Sequence, residues 1–322
     1  MVLFTGGARG IVFECVAKLA EKKGCKLLLT GRTVLPEGSP SWLDAKPDEI
    51  DGVIRSREIE LVKSKKARLG EAKRIGVKER AQWELLRNIK RLEGLGAETR
   101  YEVCDVSDDK AFGALVTEVM TEEPIRGVVH GAGVQRSKLL TELEDDAVTL
   151  TLRTKINPLL TLVDILDWSQ LRLLSCFGSI TGMFGNQGQT DYALANSMLS
   201  WMTRCIGSMY PHVAAQTVDW TAWTGTGMVT DEEAKRFQEV GIVPVDVATG
   251  VAVFMAGLEE TTHPQLAAFN ATAEFVSGRA LTEHQMSARP LKHLLRKNGG
   301  ARFSVEKDVF LNQHLVNTVP VV

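Results

Sequence analysis

The sequence predicts a doubly wound α/β fold built on a parallel sheet, and three observations carry that expectation. Residues 2–11, VLFTGGARGI, read as an apolar strand that stops at a glycine turn and passes directly into a helical pattern. Beyond Asp105, short apolar runs alternate with amphipathic helical stretches, as strands joined by crossover helices do. With 322 residues, 44% of them hydrophobic, the chain can bury one large core and carry an appendage.

The first strand ends at Thr5, and the helix after it has Ile11, Phe13, Val16, Ala17, Leu19 and Ala20 on its apolar side. Glycines 6, 7 and 10 let backbone N–H groups approach a pyrophosphate at the helix N-terminus; an ordinary strand-to-helix turn is the other reading. The second strand, CKLLLTGR, ends in Arg32 and not in the acidic residue that would hold an NAD ribose. With Arg9 inside the glycine loop, two guanidiniums bracket a 2′-phosphate, which predicts NADPH over NADH.

Residues 34–96 are too long for one crossover and predict a helical insertion: a loop over 34–47 with three prolines and Trp42 as anchor, then helix over 48–96. The run KSKKARLGEAKRIGVKER within it reads as a solvated helical face, because glutamates interleave and no stacking aromatic accompanies the charges. There follow a helix (108–122), the strand RGVVHGAG, a helix through Lys155 to Leu166 and the strand LRLLSCFGS. After a glycine-rich loop, a helix opens near Asp191 with Leu194, Met198 and Trp201 expected on its buried side. The strand VAAQTVDW comes next, and TAWTGTGMVTDEEAKRFQEVGI reads as a lid whose glycines 225 and 227 flank a short helix. A helix (246–258) and the strand QLAAFN close the sheet.

The chemistry centres on Tyr192. Tyr192 and Asn196 share a helix face, Ser179 stands at the carboxyl end of a strand, and Lys155 is the only lysine between Lys138 and Lys235. A tyrosine serves as general acid near neutrality when a cation lowers its pKa from about 10, and Lys155 is the natural partner. Ser179 can hydrogen-bond a developing alkoxide. The alternative is that Ser179, Tyr192 and Asn196 are a cap and two satisfied polar groups.

Across most of residues 2–276 the chain resembles the ketoreductase domains of polyketide and polyunsaturated fatty acid synthases, within the short-chain dehydrogenase/reductase superfamily and its Rossmann fold. The resemblance lies in TGGARGI (5–11), CDVSD (104–108), GVVHGAGV (127–134), Lys155, GSITGMFGNQGQTDYALAN (178–196) and VDWTAWTGTGMV (218–229). The most specific feature is that Asn196 and Lys155 stand in exchanged places relative to the wider superfamily, as in synthase ketoreductases. The resemblance implies Tyr192, Ser179, Lys155 and Asn196 as catalytic residues. It implies a cofactor loop of Thr5, Gly6, Gly7, Arg9, Gly10 and Ile11, with Asp105 and Val106 toward adenine and Gly131, Ala132 and Gly133 along the nicotinamide ribose. Three departures stand out: Val12 replaces the usual third glycine, QRSKLL follows GVVHGAGV without Leu-Asp-Asp, and Phe184 stands where one class has Trp. Product stereochemistry stays open. The segments GGARGI and FGNQGQTDYALAN are similar to enediyne-type and polyunsaturated-fatty-acid-type enzymes, whose enlarged helical connection matches 34–96.

A formal charge of −2 gives no electrostatic reason to bind nucleic acid or anionic lipid, and no apolar run reaches membrane-spanning length. Cysteines 15, 25, 104, 176 and 205 show no metal spacing, so reduced thiols in the cytoplasm are expected, with no metal. His130, His212, His263, His284 and His293 are expected at the surface or in loops. The division expected is a reductase domain (1–284), a linker (285–300) and the start of a dehydratase-like hotdog domain (301–322), where His314 resembles the dehydratase histidine. That tail, and a first strand beginning almost at Met1, point to a piece of a longer polypeptide. The expected function is NADPH-dependent reduction of a β-ketoacyl thioester on an acyl carrier protein, beside neighbouring synthase domains including a dehydratase. The alternatives are a free-standing carbonyl reductase and a non-catalytic cofactor-binding scaffold.

Overall fold

The computed structural model describes residues 1–224, 239, 241–259, 264–268, 270–271, 315–316 and 319–320. Strands β1 (Val2–Thr5), β2 (Leu27–Gly31), β3 (Thr99–Val103), β4 (Gly127–His130), β5 (Leu173–Ser179) and β6 (Ala214–Trp220) enter one sheet. A short β7 (Ile242–Val243) precedes β8 (Gln265–Ala268), which joins that sheet, and β7 pairs antiparallel with β9 (Asn270–Ala271). The seven-stranded sheet runs β3-β2-β1-β4-β5-β6-β8 with every pair parallel. Strand order reverses between β1 and β4, and a crevice opens there at the carboxyl ends.

Alternation along the strands loads both faces. Leu3, Leu28, Val128, Leu174 and Cys176 point into one core with Phe112, Val116, Ile156, Leu159 and Leu199. Phe4, Leu27, Leu29, Val129, Phe177 and Val218 point into the other with Phe13, Val16, Leu85, Leu92 and Phe254. A parallel sheet covered on both sides needs such near-continuous apolar strands.

Helix α1 (Gly10–Lys23) starts after Arg9 in extended backbone and ends at Gly24, whose φ of 56° suits the left-handed cap. The 34–96 region forms α2 (Ile50–Lys63) and α3 (Leu69–Gly94). The C-terminal half of α3 is the crossover helix itself, seating Leu85 and Leu92 beside Phe13 and Leu29. The rest is appended: Trp42, buried as expected of an anchor, packs with Ile50, Ile54 and Trp83 in a separate cluster. Next come α4 (Asp109–Glu122), capped by the Asp108 carboxylate on the N–H groups of Lys110 and Ala111, and α5 (Asp145–Ile165). The chain continues with α6 (Thr181–Phe184), α7 (Thr190–Met209) and α8 (Val247–Glu259).

One helix face is turned differently from expectation. Leu194, Met198 and Trp201 lie on the solvent side of α7, with Trp201 61% exposed. The side toward the sheet carries Asp191, Ala195, Asn196, Leu199, Ser200, Thr203 and Ile206. Smaller and polar side chains let α7 approach β5 and β6 closely, so the bulkiest stripe is not the buried one. No helix among the described residues is long and apolar enough to cross a membrane. Most of the lid reading falls on 225–238 and 240, which, with the 285–300 linker and His314, lie outside the described residues. In the tail, Leu315–Val316 pairs antiparallel with Val319–Pro320 and with no strand of the large sheet.

Candidate active site

The carboxyl ends of β1, β2, β4, β5 and β6 open on one cleft of about 1110 Å³. Gly6, Arg9, Gly10 and Ile11 line it from the first loop, Arg32 from the end of β2, and Asp105 and Val106 from beyond β3. Gly131, Ala132 and Gly133 line it after β4; Lys155, Ser179 and Tyr192 line its far end. The structure thus gathers thirteen of the expected site residues around one cleft. Three are not on that surface: Thr5 and Asn196 are fully buried behind it, and Gly7 packs under the loop against Phe4.

The backbone is shaped for close approach. Gly6, at φ 69°, lies so near Ala132 that an added Cβ would stand 3.1 Å from its backbone. A Cβ at Gly131 would collide with Val12, so the bulk gained at position 12 is accommodated across the cleft. At Gly133 a Cβ would stand 2.9 Å from Lys155 Cε, where the lysine stem passes. This cradle, with its loop N–H groups and two arginines, fits a phosphate-bearing dinucleotide.

Lys155 projects from α5, and its Nζ donates to the Phe177 carbonyl at 2.5 Å. Burial lowers its pKa to about 8, against the nearby Cys176 and Asp219. Ser179 ends β5, and its Oγ accepts from the Thr181 N–H at 3.2 Å. Tyr192 sits in the first turn of α7; burial raises its pKa, while hydrogen bonding with Ser179 and Asn196 works to lower it. Asn196 Nδ2 donates to the carbonyl of Tyr192 one turn earlier, at 2.7 Å, and so braces the helix under the phenol.

Four residues that sequence reasoning missed or misplaced lie in the cleft or behind it. His130, expected at the surface, is fully buried at the end of β4. Its Nδ1 is 2.6 Å from Thr5 Oγ1 and its Nε2 is 3.0 Å from the Lys155 carbonyl, so both ring nitrogens are satisfied inside the core. Burial, with the charge of Lys155, drives its pKa down to about 3, and the ring is neutral at pH 7. Asp219 on β6 is 1% exposed and held by Ser200 and Gln265; burial raises its pKa to about 6. Glu84 of α3 reaches the glycine loop, taking the Arg9 Nε at 2.9 Å and the Gly10 N–H at 3.1 Å. The Asn88 Nδ2 donates to the Ala8 carbonyl at 3.0 Å. Spacing offered a weak clue to the last pair, since residues 84 and 88 share a helix face.

Comparison with known proteins places the chain in a family. The model of the KR domain family matches residues 1–225. A polyunsaturated fatty acid synthase subunit from Thraustochytrium sp. is 29% identical over 252 residues, 75% of this chain and 9% of the relative. A phenolphthiocerol/phthiocerol polyketide synthase subunit from Mycobacterium tuberculosis is 28% identical over 254 residues, 77% of this chain and 12% of the relative. The chain thus spans about a tenth of these relatives. The ketoreductase from the first module of phoslactomycin biosynthesis in Streptomyces sp. HK803 superimposes with a TM-score of 0.65 at 22% identity, covering 90% of this chain and 55% of the other. A ketoreductase domain from the bacillaene assembly line gives 0.63 at 24% identity, covering 87% and 58%. These likenesses show the fold.

Proposed function

Because the chain belongs to the KR domain family, we propose that it reduces a β-ketoacyl thioester to the β-hydroxyacyl thioester, using NADPH, on the phosphopantetheine arm of an acyl carrier protein. The observation that carries this reading is that Ser179, Tyr192 and Lys155 line the same cleft as the glycine loop. The setting is a polyketide or polyunsaturated fatty acid synthase, in which other domains, including a dehydratase, are neighbours. All five cysteines are free, which suits the reducing cytoplasm.

In this reading the loop amides of Gly6 to Ile11, with Arg9 and Arg32, hold the phosphates, Asp105 and Val106 meet the adenine, and Gly131 to Gly133 follow the nicotinamide ribose. NADPH, when bound, supplies the hydride that the ketone carbon receives. Tyr192 gives its phenolic proton to the ketone oxygen as negative charge develops there. The Ser179 hydroxyl donates to the same oxygen, an interaction that strengthens as the alkoxide forms. Lys155 contributes positive charge beneath the reacting groups and holds the ribose, and Asn196 fixes the turn of α7 that aims the phenol.

The test is oxidation of NADPH by the purified chain with trans-1-decalone and with a β-ketoacyl thioester of N-acetylcysteamine. Turnover of both, with kcat/KM favouring the thioester, is expected. Absence of turnover with either would leave a cofactor-binding scaffold, and a preference for the plain ketone would indicate a free-standing carbonyl reductase.

A further inference from the structure

Glu84 holds two of the donors with which the glycine loop would receive an anion. Its Oε2 accepts from Arg9 Nε at 2.9 Å and its Oε1 from the Gly10 N–H at 3.1 Å. The Gly10 amide is the first of α1, one of the donors that a helix start leaves without an intrahelical partner, and the helix dipole favours negative charge there. On the other side of Arg9 lies a cavity of about 580 Å³ that Arg32, Thr33, Arg74 and Lys78 also line. Arg9 thus stands between a carboxylate delivered by α3 and a cationic chamber large enough for a phosphate group.

We propose that Glu84 is a cofactor-specificity residue: as a tethered carboxylate it competes with the 2′-phosphate of the dinucleotide for Arg9. The inference rests on the nicotinamide cofactor reading above. A phosphate monoester carries close to two negative charges at neutral pH, so one placed on Arg9 repels Glu84 and takes over its hydrogen bond from Arg9. A dinucleotide with a free 2′-hydroxyl places no phosphate on Arg9, while its pyrophosphate meets the loop amides just as that of NADPH does. Glu84 therefore opposes NADPH more than NADH and moderates the preference that Arg9 and Arg32 create. The loop does not depend on this carboxylate for its shape, since Asn88 holds the Ala8 carbonyl independently.

The experiment is isothermal titration calorimetry of NADPH and NADH with the whole chain and its Glu84→Gln and Glu84→Ala variants. Both variants should bind NADPH about tenfold more tightly while their Kd for NADH changes less than about twofold, the scale of one charge-assisted contact. In an Arg9→Ala chain the gain from Glu84→Gln should vanish. Weaker binding of both dinucleotides would make Glu84 a structural brace and overturn the proposal. So would unchanged NADPH affinity, an equal gain for NADH, or a gain that survives Arg9→Ala. If the unaltered chain binds neither dinucleotide, the cofactor reading itself fails and takes this inference with it; if it binds NADPH and the variants bind no tighter, only the inference falls.

Discussion

At the scale of single residues, the Tyr192 phenol, the proposed proton donor, lines the cleft with Lys155 and Asp219 buried behind it. Tyr192→Phe should lower turnover by about 10²–10⁴-fold, the usual size of general acid assistance, while the Kd for NADPH measured by calorimetry stays within a few-fold. Turnover above about a tenth of wild type would remove the phenol from the mechanism. Asp219 gives a pH signature. Its folded pKa of about 6 lies above the ordinary 3.8, so between those values the folded chain keeps a proton that the unfolded chain has released. The group therefore stabilises the fold at low pH, and that contribution is lost as pH rises through about 6. The full span is worth roughly 3 kcal/mol. In urea denaturation, the stability of wild type relative to Asp219→Asn should fall across that interval and level off above it; a flat difference would contradict the raised pKa. Tyr192, Ser179 and Lys155 were legible because a strand end, a helix start and a solitary lysine mark them locally. His130 and Glu84 were not, because their partners stand 125 and 75 residues away in the chain and only the fold joins them.

At the scale of elements, the 34–96 region is two things with different stabilities. The C-terminal half of α3 shares the sheet core through Leu85 and Leu92, whereas α2 rests on the Trp42, Ile50, Ile54 and Trp83 cluster. Trp83 Nε1 and Gln82 Nε2 hold the preceding loop by the carbonyls of Ala45 and Val34. Truncating a buried tryptophan costs about 3–5 kcal/mol, and here most of that loss should be local. Trp42→Ala should speed proteolytic cleavage within residues 34–68 by at least about tenfold, while the main melting transition moves by only a few degrees. A fall in that transition as large as Phe112→Ala produces would show that α2 unfolds together with the sheet. Helical composition made both helices legible; their unequal attachment was not, because α3 keeps one periodicity across both environments. The α7 face departs from expectation for a related reason. Periodicity locates an apolar stripe, but close packing against β5 and β6 favours Ala195, Ser200 and Thr203 over Leu194, Met198 and Trp201.

At the scale of the whole molecule, the doubly wound parallel class was legible because most strands are short apolar runs followed by helical patterns; β3, TRYEV, lacks that signal, and the strand order is set by pairings between distant segments. The tail stands apart from that order: its described strands pair only with each other. Ending the chain after Asn298 should leave the melting temperature within a few degrees and NADPH-dependent activity nearly unchanged. A drop of more than about 5 °C, on the order of 2 kcal/mol, would make the tail a structural part of the reductase. The sheet order has a further meaning during synthesis. Of the seven strands of this sheet, β1 is made first, and it lies in the interior of the sheet. β2 and β3 extend one edge, and β4, β5, β6 and β8 then extend the other in the order of translation. Among the described strands of this sheet, none has to be inserted between two already paired. Arg9, Arg32 and Glu84 are made before Ser179 and Tyr192, so a nascent chain acquires the glycine-loop end of the cleft before the Tyr192 end.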